Sequence, residues 1–543
     1  DMDKPSLGYS AGDEIFAFVP ADLLIRLKEL ASTATHIYLV DGAPNLFVSP
    51  TFDDANTNGL RDAGEYYEKT LVFGERRGGR SYWALDMTEP DPSLWSVKWH
   101  VEGGFGGTAG FQELGYTWSK PFFTTIRTAA DTLKDVVIFS AGYDPLEDGY
   151  PEGFDDANEN GIRDFTDSNS SGTWDPGEPG ESFAVTVGGT EGHDTWNPGM
   201  DQMGRGIYVV DLDGGSLLFK ATYGETDVTT GTDQNYTAMT YCFPADISVI
   251  PLSEEYLLMY AADIYGQIWK ITYDYLAAGS IQWAVKRIFT ANPGSDLPTG
   301  TSDPVDIAAA SLNASDAGRK MFYSPDVSFG NDWALGLPVL YFGTGDREHP
   351  RYRMISNRLY ALTDTDTSAD ETDLLNLTCD ELDKNADADG DGDFDTDDVD
   401  IQNTLANLLY DHETNGIRGF YRVLDKQGDC ADDDFDHTGE QVLSQPTLFF
   451  KNVFFTSYQA EFGDPCNPQG NAFIYALDYS WFTAGLNFLL ENDTEYLETR
   501  DIRDTYRMIS GSAIPSGVSI ITRDGEASGL VSAGAVSYTH LTL

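Results

Sequence analysis

Five stretches of this chain carry the same local wording, and that recurrence constrains the fold more than any other feature. They are YWALDMTEPDPSLWSVKW from Tyr82, IYVVDLDGGSLLFKATY from Ile207, IYGQIWKITYDY from Ile264, LYALTDTDT from Leu359 and IYALDYSWFTAGLNF from Ile474. Each is an aromatic or aliphatic strand, an acidic or glycine turn, and often a second strand, which is how one hairpin of a propeller blade reads. Irregular spacing between the copies points to blades carrying insertions. Other large β proteins can repeat such hairpins by chance, so the pattern alone predicts an all-β chain with a β-propeller as its first candidate. Runs such as KDVVIFSAGY, EEYLLMYAAD, LPVLYFGTGD and KNVFFTSYQ, bounded by Gly, Asp, Asn and Pro, also read as strands. Near the start, PADLLIRLKELAS places Leu23, Leu24, Leu27 and Leu30 at helical spacing behind Pro20, predicting an amphipathic helix.

The charge narrows the partners. In 543 residues, 89 acidic side chains face 33 basic ones, a formal net charge of -56. Such a surface repels nucleic acid and anionic lipid and attracts cations. With 29 Tyr, 30 Phe and 10 Trp the chain is too aromatic for a solvating acidic tail, so the charge belongs to a folded surface. No apolar run approaches the length of a membrane span, and no signal-peptide pattern opens the chain. It begins on Asp1 rather than Met, which suggests a piece of a longer protein. Cys242, Cys379, Cys430 and Cys466 form no C-x-x-C pair, against a zinc ribbon or thioredoxin-like site. Buried thiols and one or two disulfides both remain open, with Cys379 to Cys430 or Cys430 to Cys466 as reasonable bridges.

Four acidic loops match the spacing by which a short loop encloses calcium: oxygen side chains at positions 1, 3, 5, 9 and 12, a carbonyl at 7 and glycine at 6. DANTNGLRDAGE supplies Asp54, Asn56, Asn58, the Leu60 carbonyl, Asp62 and Glu65 around Gly59. DANENGIRDFTD supplies Asp156, Asn158, Asn160, the Ile162 carbonyl, Asp164 and Asp167. DSNSSGTWDPGE then offers Asp167, Asn169, Ser171, the Thr173 carbonyl, Asp175 and Glu178, with Asp167 shared. In DADGDGDFDTDD the set is Asp387, Asp389, Asp391, the Asp393 carbonyl, Asp395 and Asp398, and Phe394 stands at the inward-packing position 8. The residues that follow place Ile401, Leu405 and Leu408 at helical spacing, so an acidic loop feeds a short helix as in half of an EF-hand or dockerin repeat. The competing reading is solvated turns, since Asp and Asn are good turn formers. Two loops share the wording FDDANxNGxRD, which favours a common ligand. Without the ion, crowded carboxylates repel and open the loop.

Flanking phrases carry a resemblance. AGDEIFAFVPADLLIRLKELA, HIYLVDGAPNLF, RRGGRSYWALDMTEP, KDVVIFSAGYDP, YAADIYGQIWKITY, VLYFGTGDREHP and VLSQPTLFFKNVFFTSYQ with GDPCNPQGNAFIYALDY occur in this order. From about Gly12 to about Asp478 the chain resembles the C-terminal domain of the PilC/PilY family of type IV pilus tip adhesins. The resemblance implies a modified β-propeller, expected with seven blades, exported to the pilus tip or outer surface behind an N-terminal adhesive region. It also implies a calcium loop that governs pilus extension against retraction, and thereby twitching motility and surface attachment, with minor pilins and a host or abiotic surface as partners. This chain departs by carrying several candidate loops, and it has no RGD tripeptide, so integrin attachment is not carried over. The expected organisation is one propeller over 1–535 with inserted loops at 52–65, 154–181 and 385–411. The closing SYTHLTL reads as translated adapter sequence, making 536–543 a non-native tail.

Catalysis finds little support. Quinone (PQQ)-dependent dehydrogenases are also propellers with YALD hairpins and bound calcium, but the chain lacks the adjacent cysteine pair many carry. A carboxylate pair for hydrolysis is uninformative in so acidic a chain. No H-x-x-x-H pair, G-x-S-x-G elbow or phosphate-cradling loop occurs, so no catalytic residue is assigned. Arg347 and His349 in GDREHP read as a polar site or a satisfied turn. Arg76, Arg77 and Arg80 in ERRGGR read as a receptor for acidic groups or as arginines paired within the fold.

Overall fold

The computed structural model of the chain describes residues 13–31, 37–52, 57–58, 60–62, 64–104, 106–145, 165–166, 182–183, 203–223, 239, 241–276, 279–292, 319–331, 333–351, 355–378, 382, 396–410, 416–424, 439–460, 470–486, 505–509, 513–523, 526–533 and 538–542. It is mostly β-sheet, with few helices among the described residues. The chain divides into two compact units, one of Asp1–Asp144, Pro198–Met259 and Ile271–Val285, the other of Pro145–Asn197, Tyr260–Lys270 and Lys286–Leu543.

In the first unit, β1 (Asn45–Phe52), β2 (Tyr67–Gly74), β3 (Ser81–Asp86) and β4 (Ser96–Glu102) form an antiparallel meander in chain order. β5 (Phe122–Ala129) and β6 (Thr132–Ser140) join β9 (Gly206–Asp211) and β10 (Leu217–Thr222) in the order β10-β9-β6-β5. The short strands β7 (Phe165–Thr166) and β8 (Ser182–Phe183), which pair with each other, belong to the second unit. A third sheet runs β11 (Ser248–Ser253), β12 (Tyr256–Ala262), β13 (Gln267–Tyr275), β14 (Ile281–Thr290), and the unit boundary falls inside its last three strands.

The second unit holds three more sheets. β15 (Asp326–Ser328), β16 (Val339–Gly343), β17 (Arg358–Thr363), β18 (Leu375–Asn376) and β19 (Gly419–Val423) are ordered β15-β16-β17-β19-β18, the last pair parallel. β20 (Glu440–Val442), β22 (Asn452–Ala460), β23 (Gly470–Asp478) and β24 (Tyr506–Ile509) follow in order, with β21 (Thr447–Phe449) also on β22. β25 (Ser519–Arg523), β26 (Glu526–Ser532) and β27 (Tyr538–Thr542) close the chain, so residues expected as a tail pair as a strand.

The repeated phrases therefore land on equivalent inner strands, β3, β9, β13, β17 and β23, of successive sheets. Alternation is lost in β3, β9 and β17, where nearly every residue is buried, because both faces of an inner strand are covered. The edge strand β1 keeps its alternation. The shared tyrosine is an anchor: Tyr82, Tyr208 and Tyr360 are fully buried and Tyr475 is 7% exposed. Phenylalanine stands opposite it in three sheets, as Phe139↔Tyr208, Phe342↔Tyr360 and Phe455↔Tyr475. Within the first unit the rings of Tyr82 and Phe139 stack at 4.0 Å, joining its first two sheets.

The leucine-rich start differs from expectation. Asp22–Ala31 is a 3-10 helix rather than an amphipathic α-helix, and of its leucines only Leu23 is buried. At three residues per turn Leu24, Leu27 and Leu30 eclipse on one side, 53%, 38% and 53% exposed, so the repeat that suits an α-helix here lines a solvent face. By contrast the helix expected after the last acidic loop is present as α1 (Thr396–Tyr410), which inserts Leu409 into the second unit's core and sets Tyr410 edge-on to Trp481 at 5.6 Å.

Two stability predictions follow from this packing. Phe139→Ala is expected to lower unfolding free energy by about 3–5 kcal/mol in a denaturant titration, because a fully buried ring in the aromatic stack leaves a cavity. The β21–β22 turn places Phe450 and Lys451 at φ 48 and 68, a two-residue hairpin loop that favours Asn-Gly. Phe450→Asn with Lys451→Gly is expected to raise stability by about 1–2 kcal/mol in the same assay, since Phe450 is 86% exposed and contributes little packing.

Candidate metal centre

The first acidic loop is the connection between β1 and β2, whose ladder closes at Phe52↔Tyr67. Of its expected ligands, Asp54 and Asn56 lie outside the described residues, as does Gly59. The rest of the loop is placed. Asn58 Oδ1 accepts the Leu60 N–H at 2.6 Å, the hydrogen bond of an Asx turn. Asn58 Nδ2 donates to Asp62 Oδ2 at 2.8 Å, and Glu65 Oε2 accepts the Asp62 N–H at 2.7 Å. Asn58, Asp62 and Glu65 are thus brought together, while the Leu60 side chain points out, 69% exposed, leaving its carbonyl as the expected donor. Glu65 is 6% exposed at the base of the hairpin. A buried carboxylate at position 12 beside an Asn and an Asp is an all-oxygen donor set, the kind calcium takes. Among the described residues no group of three or more His, Cys, Asp or Glu stands ready to hold a metal.

Asp156, Asn158, Asn160, Ile162, Asp164, Asp167, Asn169, Ser171, Thr173, Asp175 and Glu178 lie outside the described residues, as do Asp387, Asp389, Asp391, Asp393 and Asp395. The backbone of Asp398 is in the first turns of α1. Cys379, Cys430 and Cys466 also lie outside them, and Cys242 is buried.

Two other motifs resolve into internal packing. In GDREHP, Asp346 Oδ1 accepts the N–H groups of Glu348 and His349 at 3.1 and 3.0 Å. Its Oδ2 meets Lys320 Nζ at 2.8 Å and His349 Nδ1 at 2.9 Å, and Gln441 Oε1 accepts the Asp346 N–H at 2.6 Å. Burial alone would raise this carboxyl, but Lys320 and His349 outweigh it and hold it well below the usual range. This is a satisfied turn. In ERRGGR, Arg76 lies over Trp118 at 4.5 Å, Arg77 over Tyr38 at 5.0 Å and Arg80 over Tyr116 at 5.5 Å. Arg76 and Arg77 also approach Asp41 at 4.0 and 3.9 Å, so the basic run is spent within the fold. What the sequence did not announce is a set of fully buried carboxyls. Asp263 is one: burial pushes it up to about 7 despite the N–H groups of Trp269, Gln267 and Tyr265. Asp346→Asn is expected to destabilise the protein by about 3–5 kcal/mol in a denaturant titration, because it removes one charge of the buried Lys320–Asp346 pair.

No family model matches the chain. Among curated proteins it is 32% identical over 134 residues, 24% of the chain, to the type IV pilus biogenesis factor PilY1 homolog of Xylella fastidiosa, covering 8% of that protein. To PilY1 of Pseudomonas aeruginosa it is 28% identical over 141 residues, 25% of the chain and 10% of the relative. Among solved structures, the P. aeruginosa PilY1 C-terminal domain aligns over 98% of this chain and 89% of its own, with 14% identity and a TM-score of 0.47. The chain thus matches about a tenth or less of the length of these curated relatives. No helix among the described residues is long and apolar enough to cross a membrane. The resemblance read from the flanking phrases is therefore matched by named proteins: over about a quarter of its length the chain is similar in sequence to PilY1 proteins.

Proposed function

We propose that this chain is a calcium-binding, non-enzymatic module of a type IV pilus tip adhesin, exported and acting in pilus biogenesis, in control of extension and retraction, and in twitching and surface attachment. The observation that carries this reading is its sequence relationship to two proteins named as type IV pilus biogenesis factors. Successive antiparallel sheets, each with the same phrase on an inner strand, support blades of a modified propeller, for which seven is the expected number. Minor pilins or the pilus tip on one side and a host or abiotic surface on the other are the proposed partners.

Calcium enters through the loops. Oxygen ligands from Asp54, Asn56, Asn58, Leu60, Asp62 and Glu65 would neutralise carboxylates that otherwise repel, and the ion would set the loop's shape. At a dissociation constant of about 0.1 mM and about 1 mM external calcium, occupancy favours the ordered loop by roughly 1.4 kcal/mol. A change of that size lets external calcium bias contacts with a pilin or a surface. Calorimetric titration of the chain is expected to show calcium binding, with one event lost in each of Asp54→Ala, Asp156→Ala and Asp387→Ala while the circular dichroism spectrum is retained. Absence of heat at millimolar calcium would make the aspartates solvated turns and remove the ion from the mechanism.

A further inference from the structure

We propose that Glu75 and Asp22 form a carboxyl pair sharing one proton, which latches the Asp22–Ala31 3-10 helix onto the first sheet and releases it when that proton is lost. Glu75 follows β2 and is fully buried. Its Oε1 accepts the Trp83 indole N–H at 3.0 Å, while its Oε2 is buried without a hydrogen-bond partner. Gly79 packs against that oxygen so closely that a Cβ there would stand 1.9 Å away. Asp22 is the acidic neighbour that acts on Glu75 most strongly, ahead of Glu102. Asp22 is itself fixed: Oδ2 accepts the Ser81 hydroxyl at 2.6 Å and Oδ1 the Leu23 N–H at 3.1 Å. One turn on, Arg26 Nη1 donates to the Gly78 carbonyl at 2.6 Å. The helix is thus held to the β2–β3 turn and the start of β3 by Asp22 and Arg26.

A fully buried carboxyl beside a second carboxylate is disfavoured in its charged form. With one proton between them, the orphan oxygen of Glu75 becomes a donor to Asp22, and repulsion becomes a charge-assisted hydrogen bond. The surrounding groups do not replace that proton. From β4, His100 Nε2 stays 4.0 Å from Asp22 with its ring stacked on Trp83 at 3.9 Å, and Glu102 adds negative charge. Arg76 and Arg77 of the same turn face Asp41 and Trp118. Burial first, and the Asp22 charge second, push the Glu75 carboxyl from its ordinary 4.5 up to about 8. Lifting the helix would relieve both effects, so the docked state holds the extra proton. Docking is fully supported below about 4.5 and lost as pH rises through about 8.

Amide hydrogen exchange across Leu23–Lys28 in the full chain, corrected for intrinsic exchange rates at each pH, tests the latch. Protection in the unsubstituted protein is expected to fall about ten-fold or more between pH 6 and pH 9. Glu75→Gln, whose amide accepts from Trp83 and donates to Asp22 without titrating, is expected to keep equal protection at both. Asp22→Asn, whose amide donates to ionised Glu75, is expected to stay protected at pH 9 and serves if the glutamine variant misfolds. His100→Gln is expected to keep the fall. A flat profile in the unsubstituted protein, the same fall in Glu75→Gln or Asp22→Asn, or loss of the fall in His100→Gln would overturn the proposal.

Discussion

The fold depends on a tyrosine buried in the middle of a strand whose two faces are both covered. Tyr82, Tyr360 and Tyr475 sit within inner strands, and each hydroxyl has a polar partner: the Ser119 carbonyl at 2.7 Å, Glu371, and Glu440 Oε1 at 2.8 Å. Burial of each ring contributes roughly 1.5–3 kcal/mol, and the hydroxyl bond removes the penalty of carrying a polar tip inward. Because the tip must find its partner, the tyrosine also fixes register. A slip by one residue would turn the ring to the other face and strand the hydroxyl. Repetition of this device lets one sheet after another form without a shared sequence elsewhere.

That device is why the strands were legible. Aromatic and β-branched runs ending in Asp or Thr mark β3, β9, β17 and β23, and the period of Ile401, Leu405 and Leu408 marks α1. Other features had no linear signal. The parallel pairing of Leu375 with Phe420 joins residues separated by the whole α1 insertion, and nothing in a two-residue strand announces it. Asp22–Ala31 misleads because leucines at three- and four-residue intervals satisfy an α-helix and a 3-10 helix alike, and the choice is made by what the segment docks on. The Glu75 and Asp22 pair is invisible for the same reason: 53 residues separate the partners, and ERRGGR draws attention to its arginines instead.

The candidate metal loops divide along the same physical line. Ligand spacing is a local property, so Asp54 to Glu65 could be read as a calcium register from the sequence alone. What the structure adds is its place, a hairpin connection in which the last expected ligand, Glu65, is buried while Leu60 is exposed. Under the proposed function, a divalent cation would neutralise part of the net charge of -56 at these loops. Sheets and loops then answer to different forces: the sheets to apolar burial, which is indifferent to ions, and the loops to carboxylate repulsion, which is not.

Limited proteolysis with and without calcium tests that division most directly. Cleavage within 53–66, 154–181 and 385–395 is expected in a chelator and suppressed at about 1 mM calcium, with the sheets intact in both. Cleavage that calcium leaves unchanged, or that runs through the inner strands in the chelator, would contradict it.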